Sequence, residues 1–215
     1  MLMALAQVGP AAAPAPPSEL HAPAAQNAPD PQHGKILYLK HCQACHGPQA
    51  WGDGPREIPN LGGQRADYLI GQLTRFASGA RPGSDMHGPA MLETLRASDV
   101  NRPAAIRDLA AYLAQARPDP QPELGEGQAL AAGRSGYVRA CAACHGDDGA
   151  GSEGGSVPRI GGQHFRYVLS RLREFASVHR RLEPAALTSA AALSALEQQA
   201  VADYVSRLTG PGGAP

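Results

Sequence analysis

The sequence predicts an all-α protein of two tandem domains related by internal duplication. Three observations lead there. A single spacing of 99 residues relates a long series of matched positions. Apolar residues in each half recur at intervals of three and four, the period of a helix with one buried face. No segment of useful length alternates apolar and polar residues with the period of two that a half-buried strand requires.

The repeat is extensive. Gly34/Gly133, Tyr38/Tyr137, Gly47/Gly146, Gly52/Gly151 and Pro59/Pro158 match, as do Gly62-Gly63-Gln64 with Gly161-Gly162-Gln163. Tyr68/Tyr167, Leu73/Leu172, Phe76/Phe175 and Arg81/Arg180 continue the series. A chain of 215 residues has room for two domains of about 100 residues each. Residues 1–31 form an Ala/Pro-rich leader without apolar periodicity, of a composition that cannot bury a core. Within it, Ala4-Leu5-Ala6 is a small-x-small cleavage pattern, so the first residues read as a signal-peptide remnant. The first domain is placed at 32–117 and the second at 128–210. The linker at 118–127 lies in "RPDPQPELGEG", where three prolines end the preceding helix.

Each domain repeats the same elements in order. A helix, "HGKILYLKHCQACHG" in the first domain, carries a Cys-x-x-Cys-His motif near its C-terminal end, and a Gly/Pro-rich loop follows. A second helix, "RADYLIGQLTRFASG", places Tyr68, Leu69, Leu73 and Phe76 on one face. The last helix, "AAIRDLAAYLAQA", groups Ile106, Leu109, Tyr112 and Leu113, and its counterpart "EQQAVADYVSRL" groups Val201, Tyr204, Val205 and Leu208.

All four cysteines fall in two clusters, Cys42/Cys45 and Cys141/Cys144, each followed at once by a histidine, His46 or His145. A Cys-x-x-Cys pair alone fits a redox dithiol or half a zinc site, whereas Cys-x-x-Cys-His is the attachment signature of c-type haem. The two thiols become thioethers on the haem vinyl groups, and the histidine becomes the proximal iron ligand. A structural zinc site would have to draw its four ligands from both clusters, and a disulfide within either pair would close a strained two-residue loop. Two covalently attached haem c groups are the expected cofactors. Aromatic residues make up only 5% of the chain, a shortage of apolar bulk that a buried prosthetic group would offset. Haem attachment of this kind takes place outside the cytoplasm, so an exported, periplasmic protein is expected.

The strings Cys-Gln-Ala-Cys-His-Gly with Pro-Asn-Leu-Gly-Gly-Gln-Arg-Ala-Asp-Tyr-Leu, and Cys-Ala-Ala-Cys-His-Gly with Pro-Arg-Ile-Gly-Gly-Gln-His-Phe-Arg-Tyr-Val, resemble the dihaem cytochromes of the cytochrome c4 type. The helical ends "LAAYLA" and "VADYVSRL" share the resemblance, which covers roughly residues 32–210. It implies two class I cytochrome c folds packed face to face, each with one haem. It also implies that the Pro59 and Pro158 carbonyls accept a hydrogen bond from Nδ1 of the proximal histidine, orienting the ring and raising its basicity. The function implied is one-electron transfer in the periplasm. Redox partners would be a terminal oxidase, a dehydrogenase or a bc1-type complex, and the protein would be an electron carrier rather than an enzyme.

The resemblance places a distal methionine in the loop before the last helix, just ahead of a proline and a short apolar run. Thioether ligation favours ferrous iron and raises the potential. The chain has four methionines, Met1, Met3, Met86 and Met91, of which the first two belong to the leader. Met86, before His87-Gly88-Pro89, fits the pattern; Met91 begins an apolar run and suits a core position, and His87 is a third candidate. The second half contains no methionine, and carrying the 99-residue spacing forward from Met86 leads to Ala185. The second haem is therefore expected to have an open sixth position, to take His179 there, or to accept water or a partner's side chain. His164, beside the Gly-Gly-Gln turn, is not expected to be a ligand. An open site would admit a second kind of function, a haem enzyme or gas sensor, for which "EPAALTSAAAL" offers only Glu183, Thr188 and Ser189 as polar groups.

Formal charge is zero, which excludes the basic footprint of a nucleic-acid binder. Residues 32–117 hold 10 Lys/Arg against 7 Asp/Glu, and residues 118–215 hold 9 against 10, a small asymmetry that could orient docking. No run of 18 apolar residues occurs, so any membrane association is expected through a partner.

Overall fold

A computed structural model describes residues 28–81, 88–97, 99–152, 154, 157–176, 190 and 192–208. In the first half, α1 (Pro31–His41) leads into the single-turn α2 (Gln43–His46), followed by α3 (Ala66–Ser78), α4 (Gly88–Ala97), a 3₁₀ turn at Asp99–Asn101 and α5 (Pro103–Gln115). The second half contains α6 (Leu130–Ala140), α7 (Ala142–His145), α8 (Phe165–Ala176) and α9 (Ala195–Ser206). Among the described residues there is no strand, only an isolated bridge between Asp53 and Ile58 inside a loop.

The first helix of each half crosses the last at a glycine. A Cβ on Gly34 would lie 2.0 Å from the Asp108 carbonyl oxygen, and one on Gly133 would lie 2.2 Å from that of Ala200. Hydrogen in place of a side chain lets the two backbones touch. Beside this contact Tyr38 packs on Tyr112 and Tyr137 on Tyr204, both with ring centroids 5.5 Å apart. The two tyrosine hydroxyls donate to the carbonyls of Gly47 and Gly146, which ties the crossing to the loop just after each histidine.

Each half has its own core. The first is built on Leu37, Tyr38, Leu69, Leu73, Phe76, Ile106, Leu109 and Leu113, with Leu95 and Val100 beneath α4 and the 3₁₀ turn. The second is built on Tyr137, Val168, Leu169, Leu172, Val201, Tyr204, Val205 and Leu208. The faces expected of α3 and α5 are those buried, except that Tyr68 and Tyr112 are only partly covered.

Two features differ from the sequence expectation. Helix α9 was expected to bury one face, yet Gln198 and every residue from Ala200 to Ser206 are buried. The segment joining the halves runs over its outer side. Asp203 accepts from the Gly127 N–H at 2.6 Å, and Arg207 donates to the Gly125 carbonyl at 2.7 Å. The second difference is in register. Matched positions stand 99 residues apart from Gly34/Gly133 through Phe76/Phe175, but the stacked pairs Tyr38/Tyr112 and Tyr137/Tyr204 put the last helices 92 apart. Seven residues are lost between α8 and α9.

Candidate functional site

The histidine of each Cys-x-x-Cys-His motif ends a one-turn helix, α2 or α7, that continues from the first helix after a break at Cys42 or Cys141. The geometry recurs bond for bond. The His46 N–H donates to the Cys42 carbonyl at 3.0 Å, and the His145 N–H to that of Cys141 at 2.9 Å. Cys45 and Cys144 are exposed while Cys42 and Cys141 are half-buried, so one thiol of each pair faces outward and the other lines the interior.

His46 Nδ1 lies 3.2 Å from the Pro59 carbonyl oxygen, and His145 Nδ1 lies 3.0 Å from that of Pro158. A carbonyl can only accept, so Nδ1 carries the proton in both rings and Nε2 carries the lone pair. This is the tautomer a metal-binding imidazole needs. Burial pushes the His145 pKa down, outweighing the opposing effect of the Pro158 bond, and so favours the neutral ligand form. Each proline carbonyl is positioned by a glycine in the left-handed region. Gly52 (φ 82°) and Gly151 (φ 75°) press so close that a Cβ would come within 2.5 Å of the Pro59 oxygen and 2.6 Å of the Pro158 oxygen.

The thiols do not suit a redox dithiol. Such a pair needs an N-terminal cysteine with a depressed pKa, whereas burial, reinforced by the neighbouring Cys45 or Cys144, pushes Cys42 up to about 12 and Cys141 up to about 11. A zinc site has no assembled donor set either: among the described residues no group of three or more His, Cys, Asp or Glu side chains gathers. Paired cysteines, a neutral histidine with Nε2 as its ligating nitrogen, and a half-buried setting fit covalently attached haem. Cys42, Cys45 and His46 would hold one group, and Cys141, Cys144 and His145 the other.

The two sites meet. Gln64 donates from Nε2 to the Arg159 carbonyl and accepts the Arg159 N–H at Oε1, both at 2.8 Å. Gln163 does the same to Asn60, both at 2.9 Å. Beside them Arg65 Nε donates to the Ala150 carbonyl at 2.9 Å, and His164 Nε2 to the Trp51 carbonyl at 2.7 Å. Each of these pairs maps onto its reciprocal under the 99-residue spacing, so the halves are related by an approximate two-fold through the Gly-Gly-Gln loops. His164 also accepts the Glu123 N–H at Nδ1, 3.0 Å away. Both ring nitrogens are committed to this interface, which removes His164 as an iron ligand.

The expected site residues divide accordingly. Cys42, Cys45, His46 and Pro59 assemble in one half, and Cys141, Cys144, His145 and Pro158 in the other. Met91 packs against the first core. Met86, His87, His179 and Ala185 lie outside the described residues. The register change bears on them nonetheless. Depending on where the seven residues are lost, the position matching Met86 is any of 178–185 rather than Ala185 alone, a stretch that includes His179 and no methionine. Gln64, Gln163 and Trp51 were not singled out as functional residues; the repeated Gly-Gly-Gln string was the only signal for the glutamines.

Two haem-attachment domains, each presenting a carbonyl-oriented histidine and joined through their histidine-supporting loops, define a dihaem c-type cytochrome. The cytochrome c family model matches residues 31–117, and that of the cytochrome c oxidase, cbb3-type, subunit III matches residues 128–205. The chain is 36% identical over 145 residues to a cytochrome c4 of Azotobacter vinelandii, covering 62% of this chain and 67% of the relative. It is 34% identical over 199 residues to that of Thiocapsa roseopersicina, covering 88% and 98%. A thiosulfate dehydrogenase electron acceptor of Thiomonas intermedia (strain K12) is 31% identical over 176 residues, 77% of each chain. Reduced recombinant cytochrome c4 from Pseudomonas stutzeri superposes with a TM-score of 0.70 at 26% identity, over 84% of this chain and 100% of that one. The chain belongs to the cytochrome c4 family: a dihaem electron-transfer protein with two covalently bound haem c groups.

Proposed function

We propose that the protein works in the periplasm as a one-electron carrier between respiratory or dehydrogenase partners, free or as the cytochrome subunit of a redox complex. The observation that carries this reading is the reciprocal contact of the loops Pro59–Gln64 and Pro158–Gln163, which brings both histidine-supporting peptides to one interface. When bound, each haem supplies a one-electron iron couple. The chain's own residues anchor it through thioethers, orient the proximal imidazole, and hold the two centres in fixed relation. The Thiomonas relative's role as an acceptor for thiosulfate dehydrogenase supports a dehydrogenase as donor. Among the described residues no helix is long and apolar enough to cross a membrane.

In this reading His46 and Met86 would hold the iron of the domain 1 haem, and the thioether would make it the higher-potential centre. In domain 2 His145 would hold the iron with no methionine opposite, which would leave that side open or filled by His179, water or a partner's side chain. Burial, with the nearby Arg65 guanidinium, lowers the Arg159 pKa, and two like charges so placed would welcome the anionic haem propionates.

Redox titration followed by optical and EPR spectroscopy tests the assignment. Two one-electron waves are expected, with a methionine-to-ferric charge-transfer band that disappears in Met86→Ala together with a fall in the potential of domain 1. A high-spin signal marks the second haem as open, and two low-spin signals mark His179 as its ligand. One haem per chain by pyridine haemochrome overturns the dihaem reading. Rapid peroxide turnover would favour a haem enzyme over a carrier.

A further inference from the structure

We propose that Gln64 and Gln163 are crossed positioning residues, each setting the strength of the proximal-histidine hydrogen bond in the opposite domain. The inference rests on His46 and His145 being the proximal ligands and goes beyond it, because it places the control of each iron ligand in the other half of the molecule.

The Pro158 carbonyl and the Arg159 N–H belong to a single peptide group. Its oxygen accepts from His145 Nδ1 at 3.0 Å, and its N–H donates to Gln64 Oε1 at 2.8 Å. In the other half His46 Nδ1 donates to the Pro59 oxygen at 3.2 Å, and the Asn60 N–H of the same peptide donates to Gln163 Oε1 at 2.9 Å. Each histidine thus reaches the other domain's glutamine through one peptide bond.

The orientation of both amides is determined by their partners. Oε1 faces an N–H and Nε2 faces a carbonyl, and the reverse assignment would set donor against donor. Both glutamines are buried, at 8% and 7% exposure, so water does not readily substitute for them.

Hydrogen bonds in a chain polarise one another in a low-dielectric interior. An acceptor on the peptide N–H draws charge onto the carbonyl oxygen, which pulls harder on the Nδ1 proton. The imidazole then donates more strongly at Nε2, favouring ferric iron and lowering the potential. Removing one glutamine should therefore raise the potential of the haem in the opposite domain. A glutamine that served only as interface packing would perturb both haems alike or neither.

The experiment uses the full-length holoprotein, with each haem's potential followed through its domain-assigned haem-methyl NMR resonances. Gln163→Leu should favour reduction of the domain 1 haem by threefold to tenfold, tenfold being about 59 mV for one electron. It should also speed exchange of the His46 Nδ1 proton and leave domain 2 little changed. Gln64→Leu should give the mirror result. Gln163→Glu keeps the oxygen acceptor and loses the amide donor, and is expected to preserve the slow His46 Nδ1 proton. Equal shifts in both haems, a shift confined to the mutated domain, or loss of the slow proton in Gln163→Glu would overturn the proposal. His46→Ala and His145→Ala serve as controls. If either leaves its haem's ligand-sensitive spectrum unchanged, the proximal assignment has failed, rather than the crossed linkage.

Discussion

The two halves agree where the chain must hold haem and where the halves touch, and they differ where each half closes on itself. The tautomer-setting carbonyl, the glycine behind it, the tyrosine stack and the glutamine clamp occur twice with nearly equal distances. The closures do not. Domain 1 ties α1 to α5 through Asp108, which accepts from the Asp30 N–H at 2.8 Å and pairs with His33 at 2.7 Å. Ala200 stands at that position in domain 2, which instead uses Asp203 and Arg207 to hold the connecting segment. The caps also differ: Asp30 caps α1, whereas Ser194 and Glu197 form a capping box on α9. At the turn after the motif, domain 1 holds buried Ala50 at φ 64° where domain 2 has Gly149 at φ 69°. Geometry shared by cofactor and interface answers to partners in both halves, whereas each local closure answers only to its own half.

Removing one attachment site should separate the two halves most strongly. Cys141→Ala with Cys144→Ala should lower the haem content from two per chain to one by pyridine haemochrome, and the domain 1 spectrum should survive. Loss of both haems would mean that the halves do not fold as separable units.

The helix crossings come next. Gly133→Ala puts a methyl against the Ala200 carbonyl and should destabilise domain 2 by about 1–3 kcal/mol, with Gly34→Ala costing domain 1 a similar amount. Thermal unfolding read at each domain's haem band checks both. Markedly unequal penalties would show that the crossings are not equivalent.

His164 breaks the symmetry of the interface by holding the Glu123 N–H as well as the Trp51 carbonyl. His164→Leu strands the Glu123 N–H and the Trp51 carbonyl, a loss of about 1–3 kcal/mol. His164→Arg, the residue domain 1 carries at Arg65, should cost about half as much by keeping the bond to Trp51. Denaturant titrations should show these losses as the two domain transitions separating.

The smallest effect concerns the Asp108 closure. Burial raises the Asp108 pKa, but the His33 hydrogen bond and the Asp30 N–H outweigh it and hold the carboxyl below its usual value. A depressed folded-state pKa gives stability that is complete above the unfolded value of about 4 and lost as pH falls through the folded one. The gap in melting temperature between wild type and Asp108→Asn should therefore narrow below about pH 4. A pH-independent gap would assign the effect to packing.

Much of this was legible in the sequence because the chemistry is contiguous. Cys42, Cys45 and His46 lie next to one another along the chain, so their spacing alone names the cofactor. The 99-residue repeat names the duplication, and Leu69, Leu73 and Phe76 announce a buried face. The same periodicity picks out Val201, Tyr204, Val205 and Leu208 in α9 but not the burial of its other side, since nothing local tells that residues 125–127 will lie over Asp203 and Arg207. Gln64 and Gln163 were visible only as repeated letters.

By itself, the sequence determined the haem attachment, the helical class and the two-fold repeat, since each rests on residues close along the chain or on one recurring spacing. Tertiary structure alone decided what the glutamines do. Gln64 and Arg159 are 95 residues apart and Asn60 and Gln163 are 103 apart, and a buried amide takes its role from the donors and acceptors that packing brings to it.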